Sequence, residues 1–414
     1  MMMKTLSLGW LLVMLVTIGF ARGDAAAAAE KARSKKKPVV AKTPDVDKDD
    51  ADDFEKDKGP VDRKIHISGV MSTSLRMTWM DAHTLPDGTR KEDDRTFELE
   101  HVHVKLGGDL TRHLSWAVQP CVAHNNEFSV IEANFTYAFF RALQVTVGRF
   151  LLPFGQFNQR SLPGSFATVS RPLLFSSHEE RTISYKGITP SNLFFTPRDD
   201  IGIELGGSVW LGESEKFQLS YSGYFTNGLR SVSGTSSRFW DDNNNGKQLG
   251  ARATLGYFGD RLSASIGVSG LLNEWEKSLR QYAVGADAWI GYEIKPGRRI
   301  NLRGEYIFMR REIVPTADLL KGDEDIAGLY VTLDGMILSW LGAFAQFDSL
   351  DNKMPRVATG GGIEDFTGTM NRYLFGLLFV PVGPLNIRLE YSWWQIPLGY
   401  PDAHRVTVQA MVVF

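Results

Sequence analysis

The sequence predicts an all-β transmembrane barrel, an antiparallel up-and-down sheet of about 16 strands, and three observations carry that prediction. Apolar and polar residues alternate with period two over stretches well beyond the roughly five or six residues of a soluble strand. The connections between those stretches alternate between short and long, as periplasmic turns and extracellular loops do in outer-membrane barrels. The composition of the 414 residues is that of a soluble chain, with 43% hydrophobic residues and a mean hydropathy of −0.17. No apolar run of spanning length follows the first two dozen positions, so a helical membrane protein is excluded, while an alternating barrel averages to this composition. A net charge of −2 argues against a nucleic-acid partner.

The elements follow in order. Met1–Thr5 with Lys4 is a short basic start, Leu6–Phe20 is apolar, and small residues follow at Ala21 and Ala25–Ala29. Residues 1–29 therefore read as a secretory signal peptide, since the apolar stretch falls short of the roughly 20 residues of a spanning helix. Residues 30–61 run from Lys35-Lys36-Lys37 to Asp49-Asp50-Ala51-Asp52-Asp53 with almost no large apolar side chain. Such a segment buries too little surface to offset its ordering entropy, so a disordered charged periplasmic tether is expected.

Residues 62–414 are the barrel. In the first strand Ile65, Ile67, Met71, Leu75, Met77 and Trp79 alternate with His66, Ser68, Ser72, Ser74, Arg76 and Thr78, broken only by Val70. The same period places strands at 64–79, the first, then at 96–107, 113–122, 128–139, 142–152, 200–210, 216–227 and 247–258. The second half follows at 261–273, 280–294, 300–313, 324–333, 336–348, 369–380, 385–396 and 403–414. Short connections fall at 108–112, 140–141, 211–215, 259–260, 295–299, 334–335 and 381–384, and the others, 153–199 above all, are mostly longer. An even count puts both termini in the periplasm of a Gram-negative cell. Trp79, Phe135, Tyr137, Phe139, Tyr257, Tyr292, Tyr391 and Trp393 stand where interfacial aromatic belts are expected, against outer-membrane lipid. The last strand carries an apolar residue at every second position back from Phe414, which looks like the signal read by the barrel-insertion machinery.

Strand five leads into Val147-Gly148-Arg149-Phe150-Leu151-Leu152-Pro153-Phe154-Gly155, then Asn158, Arg160, Ser170-Arg171-Pro172-Leu173 and Arg181. On a frame of this size the stretch resembles the phosphate-selective porin O and P family. The resemblance implies a homotrimeric channel whose long third loop folds into the lumen, with basic residues selecting anions. Independently, a connection as long as 153–199 without strands of its own is usually functional. Bent inward, it would narrow a lumen that about sixteen strands leave open.

The expected function is thus an outer-membrane porin, a passive diffusion channel for small hydrophilic solutes or inorganic anions, with the anion or phosphate preference that the resemblance implies. Constriction candidates on the third loop are Arg160, Arg171, Arg181, Lys186 and Arg198. Those facing the lumen by parity are Arg76, Arg252, Arg303, Arg388, Glu305 and Glu390, with Arg405, Glu204, Asp287 and Glu293. Acidic residues slightly outnumber basic ones over 62–414, so opposed rows of both signs, as in a general diffusion pore, compete with a ring of one sign. Arg149 shares parity with Val145 and Val147 and must sit at the rim or follow a bulge at Gly148.

No catalytic motif appears, and no enzyme activity or cofactor is expected. A rim enzyme built on His178 with Ser176 and Ser177, an adhesive barrel without conductance, and a sugar channel with Trp210, Tyr224, Trp289 and Trp394 as an aromatic slide are the alternatives. No metal is expected. His101 and His103 share a face with Lys105, yet no Cys or carboxylate near them completes a ligand set. Asp241–Gly246 resembles the start of a calcium loop, but Arg252 stands where an EF-hand needs Glu. Cys121, the one cysteine, reads as a small strand residue beside Pro120, and Pro120 as a strand end.

Overall fold

The computed structural model describes residues 65–81, 93–123, 127–162, 164–175, 199–228, 246–276, 279–313, 322–357, 363–397 and 400–414. The expected signal peptide and tether, the 241–245 turn, His178 and the basic residues Arg181, Lys186 and Arg198 lie outside them.

Sixteen strands form one closed antiparallel barrel, each paired with its neighbours in sequence and the last paired with the first. They are β1 Ile65–Met80, β2 Asp94–Asp109, β3 Leu114–Ala123, β4 Glu127–Phe140, β5 Leu143–Leu151, β6 Asp199–Leu211, β7 Phe217–Thr226 and β8 Gln248–Phe258. The second half is β9 Leu262–Glu276, β10 Leu279–Lys295, β11 Arg298–Ile313, β12 Gly322–Met336, β13 Leu341–Val357, β14 Ile363–Val382, β15 Leu385–Gln395 and β16 Ala403–Val413. Closure leaves no edge strand, which is the condition for a sheet to stand in lipid. The seam runs from Val70 opposite Val413 to Met80 opposite Ala403. It ends with Phe414 exchanging both backbone hydrogen bonds with Gly69, at 2.7 and 3.0 Å. Gly69 is needed there, because a Cβ would meet the Phe414 ring at 2.5 Å.

The alternation sorts as the sequence predicts. Ile203, Leu205, Leu249, Ile266, Val268, Val284, Leu302 and Leu333 are exposed on the outside, while Ser74, Arg252, Gln346, Asp348, Arg372 and Gln409 are buried on the inside. Aromatics gather toward opposite strand ends. Tyr373 stacks on Trp393 and His404 stacks on both Trp79 and Tyr391 at one end; Phe217 meets Tyr257 and Trp340 meets Phe379 at the other.

Four expectations need correction. The turn set at 334–335 falls at 337–340, because Ile337, Leu338 and Trp340 continue the apolar pattern yet stand exposed in the turn itself. The loop expected at 349–368 is mostly strand, with Lys353 opposite Thr367 and Val357 opposite Ile363. Beyond the hydrocarbon a hairpin needs no apolar face, so its Asp, Asn and Lys residues read as loop. Likewise β9 and β10 extend to Glu276 and from Leu279, into the loop expected at 274–279. Pro120 does not end its strand: the β3–β4 register shifts beside it, so β3 continues to Ala123 at a bulge.

Candidate functional site: the inward segment and its docking wall

Residues 152–175 leave β5 and hydrogen-bond to inward-facing side chains of β9 through β15, on the far side of the ring. Gly155 N–H donates to Ser269 Oγ at 3.0 Å, and Phe157 N–H donates to Glu305 Oε2 at 3.0 Å. Glu305 also accepts from the Tyr330 hydroxyl at 3.1 Å. Farther along, Val169 N–H at 2.6 Å, Ser170 N–H at 3.1 Å and Ser170 Oγ at 2.5 Å all donate to Glu390. Leu173 N–H donates to Asp348 Oδ1 at 3.2 Å, and the Arg388 guanidinium donates to Thr168 O at 2.9 Å. Arg372 pairs with Asp348 at 2.8 Å and donates to the Arg171 carbonyl. Buried backbone N–H groups need acceptors, and here wall carboxylates supply them.

The local sequence makes this docking possible. Gly155 has φ 68°, and a Cβ there would overlap the Glu305 carboxylate. Its positive φ turns the chain into the short helix α1, Gln156–Gln159. Asn158 Nδ2 closes the turn onto Leu152 O at 2.7 Å. Between the polar anchors lies an apolar patch of the inner wall. Phe154, Phe157, Leu173, Leu174 and Phe175 pack against Ile307, Met309, Ile326, Tyr330, Leu350 and Met370, all buried. Phe157 lies 4.9 Å from Phe175 and 6.0 Å from Tyr330, ring centre to ring centre. A signal for this was present: Tyr306-Ile307-Phe308-Met309 abandons the alternation, and a strand apolar on both faces must be covered on both.

The predicted pore residues divide. Arg160, half-buried, donates to Ser165 O at 2.5 Å and lines a cavity with Gln156, Phe166, Arg303, Thr332 and Asp334. Burial, then repulsion from Arg303, lowers its pKa from the ordinary arginine value, with Asp334 opposing, and a guanidinium still keeps its proton. Arg303 is ion-paired to Asp334. Arg171 is buried within the docked segment. Arg76 binds Glu98 at 2.7 Å and Glu100 at 2.6 Å, and Arg252 binds Asp287 at 2.6 and 2.9 Å. These groups therefore form neither opposed rows nor a ring of one sign. Arginine and carboxylate pair on the same wall, and Glu305 and Glu390 hold backbone N–H groups. Short cross-strand distances favour pairing over facing a water-filled gap.

Trp394, expected on an aromatic slide, is fully buried, with the Arg372 and Arg405 guanidinium carbons 4.9 and 5.8 Å from its ring centre. Tyr224 is buried as well. Arg149 keeps its outward parity with no register shift at Gly148, three residues short of the start of the inward segment, and its charge is met by Asp199 at 2.5 Å.

Comparison with known proteins places this geometry. The family model described as phosphate-selective porin O and P matches residues 72–263, a little under half of the chain, including the whole of the inward segment. Solved barrels share the fold at low identity. An anion-selective porin from Comamonas acidovorans is 11% identical with TM-score 0.54, over 85% of this chain and all of that one. The outer-membrane channel DcaP of Acinetobacter baumannii is 12% identical with TM-score 0.52, over 85% of this chain and 97% of that one. In-vitro folded OmpT, an outer-membrane protein of Vibrio cholerae, is 10% identical with TM-score 0.51, over 87% of this chain and all of that one. No curated protein matches the sequence. The matched family and the closed sixteen-stranded barrel make the chain an outer-membrane porin that resembles the phosphate-selective porin O and P family.

Proposed function

We propose that the barrel is a passive channel for small hydrophilic solutes with a modest preference for anions, its aperture set by the inward segment. The observation that carries the preference is local: Arg160 and Arg303 line one cavity against the single carboxylate of Asp334. Elsewhere on the described wall, arginines beside carboxylates cancel at short range, which argues for a weak preference rather than a strict filter. The anion-selective Comamonas porin supports the same direction. A phosphate preference rests on the family model alone.

The wider setting is part of the proposal. The amino-terminal 29 residues direct export, both termini face the periplasm, and the terminal strand ending at Phe414 engages the insertion machinery. Three copies assemble, as in the trimer form described for the Vibrio barrel. A sugar channel is less well supported, because Trp394 and Tyr224 are buried and Trp394 lies under two arginines.

The test is reversal potential across a planar bilayer under a KCl gradient, with phosphate added as a blocker. The wild-type barrel should favour chloride modestly, and Arg160→Glu should move the reversal potential toward potassium. An unchanged potential in that variant would return the protein to an unselective diffusion pore. Block by phosphate at concentrations where sulfate has no effect would establish the finer specificity.

A further inference from the structure

β2 and β3 run side by side with His103 directly opposite Cys121. His101 lies two residues along β2 on the same face, so the cysteine missing from the local sequence comes from the neighbouring strand. All three are buried, at 5%, 3% and 3% exposure for His101, His103 and Cys121. Cys121 Sγ is 3.5 Å from His103 Nε2, and the imidazole centres are 5.0 Å apart. One ligand atom from each residue lies within 4.8 Å of the other two. Tetrahedral Zn²⁺, with bonds of about 2.1 Å to nitrogen and about 2.3 Å to sulfur, holds its ligand atoms roughly 3.5 Å apart. The Cys121–His103 separation already meets that spacing, and side-chain rotation brings in His101.

One irregularity of the sheet builds the cluster, and a second lies beside it on β4. On one side Ser72 pairs with His101 but Thr73 with Leu99, leaving Glu100 as an extra residue. Before this bulge the even positions of β2, Glu98 and Glu100, face inward; after it the odd ones, His101 and His103, do. Without it both imidazoles would face lipid. On the other side Gln119 pairs with Glu132 but Pro120 with Val130, leaving Ile131 over. Bulges in barrel walls re-aim side chains and recur beside functional sites.

We propose that His101, His103 and Cys121 bind a transition-metal ion of the Zn²⁺ class on the inner wall of the barrel. Two imidazoles and a thiolate are the donors that select borderline and soft metals over Ca²⁺ or Mg²⁺. Glu100 is no ligand, since Ser74, Arg76 and Gln409 already hold its carboxylate. Three protein ligands leave a fourth position for water or a small anion entering from the lumen. Binding requires the thiolate, so it releases a proton and weakens in acid.

The test uses the full-length barrel folded in detergent and stripped with a chelator, then titrated with Co²⁺ and afterwards with Zn²⁺. Cys121 is the only cysteine, so a thiolate-to-cobalt charge-transfer band can arise nowhere else. At one equivalent Co²⁺ should give that band with tetrahedral d–d bands, and Zn²⁺ should displace both. Cys121→Ser should abolish the charge-transfer band. In the unmodified protein, where no variant has to fold, Zn²⁺ should also slow alkylation of Cys121 by a small thiol reagent. Absence of the band at one equivalent, its persistence in Cys121→Ser, or equal alkylation rates with and without Zn²⁺ would each overturn the proposal.

Discussion

Replacing Glu390 by Ala tests whether the inward segment is held by the wall or merely lies against it. The carboxylate accepts from Val169 N–H, Ser170 N–H and Ser170 Oγ at 2.5–3.1 Å. A hydrogen bond to a charged partner contributes about 1.5–3 kcal/mol, and its loss strands the donor. Three such bonds do not simply add, and lumen water satisfies part of what is lost once the stretch lifts. A net of about 3 kcal/mol is a conservative figure, which at about 1.4 kcal/mol per tenfold raises the lifted population roughly 100-fold. Glu305, Asp348 and the apolar patch still hold the two ends, so the opening should be confined to the stretch around 166–171. Hydrogen exchange of a peptide over 164–175, read by mass spectrometry on the folded barrel, should speed up by about two orders of magnitude. Single-channel traces should gain noise and a larger mean conductance. Exchange and conductance both equal to the unmodified protein would refute the docking argument.

Three further outcomes follow from the same contacts. Gly155→Ala forces a side chain onto positive φ, at about 1–2 kcal/mol, and into the Glu305 carboxylate, so exchange at Phe157 should rise without loss of the barrel's heat-modifiable gel shift. Leu174→Asp sets an unpaired carboxylate in the patch of Ile326, Tyr330 and Leu350 and should eject the carboxyl end of the segment, seen as a larger solute exclusion limit in liposome swelling. Arg252→Leu leaves Asp287 buried without its partner and should lower stability by about 3–5 kcal/mol in urea titration. Arg252→Leu with Asp287→Leu should recover most of that loss, because removing both charges removes the orphan.

The barrel was legible because lipid imposes one rule on every strand, and a period of two records it directly. Boundaries failed where that rule lapses: at Ile337–Trp340, apolar yet in a turn, and in the Ser349–Val357 arm, polar yet strand. Parity put Glu305 and Glu390 inside correctly but could not say that they receive backbone N–H groups, since those arrive from residues more than a hundred positions away. Arg76, Arg252 and Arg303 were likewise placed correctly, and their neutralisation depends on which strands lie side by side. The Cys121 contact with His103 needed the β2–β3 register, and the inward turn of both imidazoles needed a bulge that no residue at Glu100 announces.

The wall grips the inward segment largely by its main chain. Glu305, Glu390 and Asp348 accept from the amides of Phe157, Val169, Ser170 and Leu173, and Arg388 and Arg372 donate to the carbonyls of Thr168 and Arg171. An amide is the same whatever side chain it carries. Side chains such as Arg160, whose hydrogen bond stays within the segment at Ser165 O, can therefore be exchanged while the segment stays seated, whereas the three carboxylates beneath it cannot. If the segment sets the aperture as proposed, permeation and architecture are separately adjustable: the address is written on the scaffold, and the filter is a replaceable insert.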